Sequence, residues 1–213
     1  MTSEPEPEPP QLTEPNKRSE LLLSAAHQLL GERDLEALTI RALLDRSGLS
    51  RRAFYECYAS KDALVIAVFA RTLRQGAAYY NSQAGEYASP TEALRHIVTS
   101  IITNAHVDDG SGNLNRALAF AQEHLKLAAF HPNQLEDAVA PFVDMLRDVI
   151  AKGIREGEFV AADPRLTAKL VYNLVSATVH EEILNSGTGR SLTPPPALAD
   201  CVWAFCERAL ASP

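Results

Sequence analysis

Residues Leu38–Leu64 read LTIRALLDRSGLSRRAFYECYASKDAL. Two short segments with apolar residues at helical spacing pivot on one glycine. In the first, Thr39 can cap the N-terminus, and Ile40, Leu43 and Leu44 fall on one face. Gly48 can take the positive φ that a tight turn demands. Leu49 fills the corner, and Ser50 caps a second segment over Arg51–Cys57. Two short helices joined by a tight turn with Gly are the outline of a helix-turn-helix.

The second segment is too short to be stable alone, so it is not chosen for a large buried face. Phe54 and Tyr58, four residues apart, turn inward and leave Arg51, Arg52 and Tyr55 toward solvent. A recognition helix reads base edges with its N-terminal residues. Arginine matches the O6/N7 pair of guanine, and a tyrosine hydroxyl can reach a phosphate. Lys61 opens the next helix, where free N–H groups and the helix dipole already favour an anion. Arg41, in the first turn of the preceding helix, adds a further cation.

The whole chain carries a formal charge of −7 over 213 residues, which argues against non-specific nucleic-acid binding by its entire surface. The charge is unevenly spread. Residues 1–16 hold four Glu and no Lys or Arg, residues 63–213 hold sixteen acidic against twelve basic residues, and residues 17–62 hold eight basic against seven acidic. The one segment that is not acidic contains the quoted stretch. Hydrophobic residues make up 46% and charged residues 22%, an ordinary globular composition. No apolar run approaches the roughly 18 residues a membrane span needs, and the start MTSEPEPEPP is the opposite of a secretory signal. Cys57, Cys201 and Cys206 show no metal or redox spacing. They are expected as packed residues of a protein in a reducing cytoplasm.

Five of the 13 prolines lie in residues 1–16, which predicts a disordered acidic tail. Beyond it nearly everything has helical period, so the fold class is all-α with about nine helices. The expected helices run about 17–30, 39–46, 51–57, 60–82, 90–104, 114–130, 134–155, 164–184 and 197–210. Gly157 stops the seventh, and Asp163 with Pro164 starts the eighth. Three units follow: the tail at 1–16, a DNA-binding unit at 17–62, and a larger unit at 63–213.

The runs SAAHQLL, LTIRALLDRSGLS and AFYECYASKDAL, with Thr39, Gly48, Ser50, Phe54-Tyr55, Tyr58, Lys61 and Leu64 spaced without a gap, resemble the N-terminal domain of TetR-type transcriptional regulators. The resemblance implies a cytoplasmic homodimer with two DNA-binding heads on a palindromic double-stranded operator. The last two helices, about 164–184 and 197–210, would form a four-helix bundle with the partner. It implies DNA contacts at Arg41, Ser50, Arg51, Arg52, Ala53, Tyr55 and Lys61. It also implies a repressor that a partly apolar small molecule releases from DNA, with the fourth helix as lever. Two departures stand out: Asp34 replaces a usual Gly, and Glu56 and Cys57 occupy positions that commonly carry aromatic or basic residues.

For the small molecule, the expected lining is Phe69, Tyr79 and Tyr80 of the fourth helix, Ile97 and Ile101 of the fifth, Phe120, then Phe142, Met145, Val149 and Tyr172. His106, His124, His131 and His180 are candidates to orient a polar group. The dimer face is expected from Leu166, Leu170, Leu174 and Ala177, with Val202, Trp203, Phe205 and Cys206. No metal site and no cofactor are expected, since HEE at His180–Glu182 lacks a second histidine at zinc spacing. No nucleophile–base pair, P-loop or dinucleotide fingerprint points to an enzyme. An activator or a ligand-insensitive DNA binder is the nearest alternative, and a helical small-molecule carrier is the alternative of another class.

Overall fold

Leu22, Ala26 and Leu30 recur along one face of the first helix and are fully buried. They begin a small core that the next three helices close. The computed structural model describes residues 14–32, 38–83, 85–105, 113–160, 163–186 and 194–210. Its regular elements are all helical: α1 (Glu14–Glu32), α2 (Ile40–Ser47), α3 (Arg51–Cys57), α4 (Lys61–Ser82), α5 (Pro90–Ala105), α6 (Asn113–Phe130), α7 (Pro132–Arg155), α8 (Pro164–Ser186) and α9 (Pro195–Leu210). The all-α class and the nine helices expected from periodicity are therefore found among the described residues. The largest boundary difference is at α1, which starts at Glu14 rather than Lys17; α7 starts at Pro132, two residues before Gln134. Proline suits that first turn because its missing N–H would have no helical partner there. Most of the expected tail (1–13), Asp34 and His106 lie outside the described residues.

Two cores organise the helices. The head core joins Leu22 and Leu30 of α1, Leu43 of α2, Phe54 of α3 and Leu64 of α4. The body core runs from Phe69 of α4 to Leu210 of α9. Helix α4, with 22 residues and a length of about 33 Å, contributes to both. In the body α4 packs chiefly on α7, α5 on α9, and α7 on α8.

Local chemistry sets the ends of these helices. Asp163 Oδ1 accepts from the backbone N–H groups of Arg165 (2.9 Å) and Leu166 (3.2 Å), capping α8 as its sequence suggests. The carboxylate of Glu158 accepts from the Thr91 N–H (2.9 Å) and hydroxyl (2.6 Å), so a residue 67 positions away satisfies the start of α5. These bonds, the hydroxyl first, hold the Glu158 carboxyl below its usual range. Gly157 adopts φ 78° at the end of α7, the left-handed stop its sequence suggests. Among the described residues no helix is long and apolar enough to cross a membrane.

Gly153 has a packing reason of its own. A Cβ built there would lie 2.1 Å from Cδ2 of the buried Phe159 ring. Gly153→Ala is therefore expected to lower stability by about 1–2 kcal/mol in urea unfolding: overpacking costs roughly 1–3 kcal/mol and outweighs a helix-propensity gain of about 1 kcal/mol.

Candidate nucleic-acid interface and internal cavity

Three hydroxyl caps fix the geometry of the head. Thr39 Oγ1 accepts from the Ala42 N–H (3.1 Å), Ser50 Oγ from Ala53 (3.2 Å) and Ser60 Oγ from Ala63 (3.1 Å). Each cap satisfies an otherwise unpaired first-turn N–H, typically about 1 kcal/mol. Gly48 sits at φ 70°, and its N–H closes α2 on the Leu44 carbonyl (2.9 Å). Phe54 is fully buried and anchors α3. The Tyr58 hydroxyl lies 2.7 Å from Ser19 Oγ, tying the end of α3 to α1. Arg46 makes a forked pair with Glu32 (2.7 and 2.8 Å) that ties α2 to α1.

On the outward face stand Arg51, Arg52, Tyr55 and, across the turn, Arg41. The Arg51 guanidinium lies 5.7 Å from the centre of the Tyr55 ring, within cation–π range. Arg51 makes no ion pair among the described residues. Arg52 Nε donates to Glu56 Oε1 (2.9 Å), and Arg18 Nη1 donates to Glu56 Oε2 (2.9 Å). The negative charge of Glu56 is thus offset by two guanidiniums, one of them from α1. Arg41 is highly exposed and only loosely paired with Asp45 (3.9 Å). Ser50 is exposed, and Lys61 is half-buried at the first position of α4. Ala53 is a correction: it is buried at 7% exposure, so it supports the helix from inside and offers DNA almost no surface. Cys57 also faces the head core.

In the body, a cavity of about 300 Å³ lies among α4, α5, α6, α7 and α8, and among the described residues no Asp, Glu, Lys or Arg lines it. Seven of the expected residues line it: Phe69, Tyr80, Ile97, Ile101, Phe120, Phe142 and Tyr172. Tyr79, Met145 and Val149 do not. Tyr79 is 53% exposed, and its hydroxyl accepts from Gln83 Nε2. Met145 is buried in the body core, and Val149 packs against that core. Of the histidines, His124 and His180 line the cavity, whereas His131 is exposed. The two rings meet edge to face at 4.8 Å, and the Tyr172 hydroxyl lies 3.4 Å from His124 Nδ1. Burial lowers the basicity of His124. It does the same, with help from His124, to His180, which is pushed down to about 4. Burial, opposed in part by Ser176, pushes the Tyr172 phenol up to about 12. All three groups are neutral near pH 7.

Residues 22–68 match the profile described as "Bacterial regulatory proteins, tetR family", a span that holds both halves of the turn and all three caps. In that segment the chain is similar to the TetR family. Over 165 residues it is 27% identical to the HTH-type transcriptional repressor KstR2 of Mycobacterium tuberculosis, covering 76% of this chain and 78% of that one. The fold matches the Bacillus subtilis regulator FadR solved with stearoyl-CoA, at TM-score 0.68 and 17% identity over 89% of this chain and 98% of that one. It also matches the ketosteroid transcriptional regulator KstR2 of M. tuberculosis, at TM-score 0.56 and 22% identity over 92% and 96%.

Two elements are used in ways the sequence did not announce. Helix α6 is a cavity wall through Ala117, Phe120, Ala121 and His124, and it also reaches the head. Asn115 Nδ2 donates to the Gly31 carbonyl of α1 (3.0 Å), Ala119 joins the head core, and Lys126 pairs with Asp62 at the start of α4 (3.3 Å). Helix α8 lines the cavity with Val175, Ser176 and Val179 as well as Tyr172 and His180. Its other face leaves Leu166 and Leu170 more than half exposed and Ala177 exposed, while Leu174 is half-buried against the core. On α9, Phe205 is 60% exposed, but Val202, Trp203 and Cys206 are buried in the chain's own core. Cys201 is exposed, against the expectation of packed cysteines.

The histidine pair predicts acid sensitivity. Unfolding lets His180 take up a proton near its ordinary pKa of 6.5, whereas in the fold it does so only near 4. The stability this contributes is present above about pH 6.5 and is lost as the pH falls toward 4. Urea midpoints should fall across that window, and His180→Phe should flatten the fall.

Proposed function

We propose that this regulator is a homodimeric repressor whose heads bind a palindromic operator and which a small molecule in the α4–α8 cavity releases. The observation that carries the reading is the pairing, in one chain, of a capped helix-turn-helix with outward arginines and an uncharged cavity, joined through α4 and α6. On this reading residues 17–62 are the DNA-binding unit and residues 63–213 the ligand-binding and dimerisation unit. Arg51 and Arg52 read bases, Tyr55, Ser50, Lys61 and Arg41 hold phosphates, and Ala53 shapes the helix from within. The setting is the cytoplasm, and no catalytic step is assigned.

Leu166, Leu170, Ala177 and Phe205 supply the dimer face. Their exposure gives α8 and α9 apolar surface that the chain itself does not cover. Two heads must meet successive major grooves roughly 34–36 Å apart. An effector weakens binding only by preferring the arrangement in which the heads miss that spacing. The relatives support such a use: KstR2 is a repressor, and FadR was solved with stearoyl-CoA.

The decisive measurement is binding to labelled DNA flanking the protein's own gene, or to DNA selected from random sequence, over a salt series. Wild type should bind specifically, with affinity falling steeply as salt rises. Arg51→Ala/Arg52→Ala should abolish specificity, with the unfolding midpoint unchanged. Selection that returns no preferred sequence would refute the reading. For the dimer face, Leu170→Glu/Phe205→Glu should sediment as a monomer.

A further inference from the structure

The polar groups lining the cavity fall into two sets. Thr72 Oγ1 donates to the Val68 carbonyl (3.0 Å), and the Tyr80 hydroxyl is bonded to Ser100 (3.1 Å). The Thr72 hydroxyl proton is thus already spent within the protein, and the Tyr80 hydroxyl is already paired. The second set is His124, His180 and Tyr172, gathered from α6 and α8. Its internal bonding is incomplete: Tyr172 has Ser176, also in the lining, as a side-chain partner, the Tyr172–His124 contact, at 3.4 Å, is long for a hydrogen bond, and His180 makes none among the described residues. An otherwise apolar chamber therefore keeps its unmet hydrogen-bonding capacity in one place. Leaving such groups unpaired in a desolvated site is unfavourable, and a ligand that satisfies them gains that energy on binding.

The chemistry of the set selects among ligands. Each neutral imidazole offers one N–H donor and one lone pair, and the tyrosine offers a hydroxyl. The matching group is one that both donates and accepts while carrying no charge, which is a hydroxyl. A carboxylate would have to shed its water with no cation in the lining to receive it. The charged groups nearby, Arg165, Lys169 and Glu136, line a separate depression that shares only His124 and Tyr172 with the cavity, and Lys169 there pairs with Glu136 (3.8 Å). Among aliphatic neighbours, the rings of Phe69, Phe120 and Phe142 stand with Tyr172 in the lining, an arrangement that offers faces and edges to a flat ring.

We propose that the cavity takes a neutral, ring-bearing, predominantly apolar molecule with a hydroxyl group seated among His124, His180 and Tyr172. The assignment rests on reading the cavity as the effector site, and it adds the chemical class. Three probes of nearly equal shape separate the classes: 4-butylphenol, butylbenzene and 4-butylbenzoate, titrated calorimetrically into the full-length protein near pH 7.5. The phenol should bind about fivefold to tenfold more tightly than butylbenzene, the value of a hydrogen bond made in an apolar site, and the benzoate should bind weakest. His180→Phe and His124→Phe keep the chamber filled. In both, the advantage of the phenol should vanish while butylbenzene affinity stays within about twofold.

The proposal is overturned if the benzoate matches the phenol, if the advantage of the phenol survives both substitutions, or if none of the three binds. Operator release is read separately on the same samples. Histidine-dependent phenol binding that leaves the DNA complex intact would uphold the ligand class and sink the effector role. Release of DNA by the benzoate without phenol binding would do the reverse.

Discussion

Two hydrophobic cores share one helix. Within α4, Leu64, Val65 and Val68 belong to the head, while Phe69, Ala77 and Tyr80 belong to the body, so the boundary falls between consecutive residues. Close-packed interiors transmit displacement instead of absorbing it. A helix clamped on both sides cannot shift in one core without repacking the other. The start of that helix carries Ser60 and Lys61, beside α3, and its middle lines the cavity with Phe69, Thr72, Leu73 and Gly76. Gly76 brings α4 close to α7, since a Cβ there would meet the Phe142 ring at 3.3 Å. Filling the cavity therefore acts on the element that positions the head. Helix α6 gives a second route, through Asn115 to Gly31 and Lys126 to Asp62.

Charge is managed differently in the two units. The head keeps its cations at the surface and holds its one awkward carboxylate, Glu56, between Arg18 and Arg52. Exposed pairs of this kind contribute little stability. Their effect is on the local field, because Glu56 is neutralised where a phosphate would approach. The body instead removes charge from its interior cavity and leaves two imidazoles there, made neutral by desolvation. The exception is Glu123 of α6, buried at 2% exposure with Oε1 unbonded, whose carboxyl burial pushes above its usual range. It lies 3.9 Å from Lys126, the residue that links α6 to the start of α4.

The head was legible in the sequence because its signals are local. Caps, the glycine turn and the i, i+4 pair Phe54–Tyr58 each act within a few residues, and the caps at Thr39 and Ser50 were found where the sequence placed them. Ala53 was misread for a non-local reason: its place in the run suggested contact with DNA, yet the packing of the head covers it. In the body, periodicity located the helices but could not say what covers each face. Tyr79 and Tyr80 are adjacent aromatics, and only the placement of α5 and α7 turned one to solvent and the other into the cavity.

By itself, then, the sequence determined the helical class, the turn and the outward arginines, because hydrogen bonds and steric limits spanning four or five residues suffice for these. Tertiary structure alone decided which residues enclose the cavity, that α8 serves both the cavity and an exposed apolar stripe, and that His124 and His180 meet. Those outcomes depend on residues 56 positions apart being brought within 4.8 Å by the packing of helices α6 and α8, and no local pattern encodes such a distance.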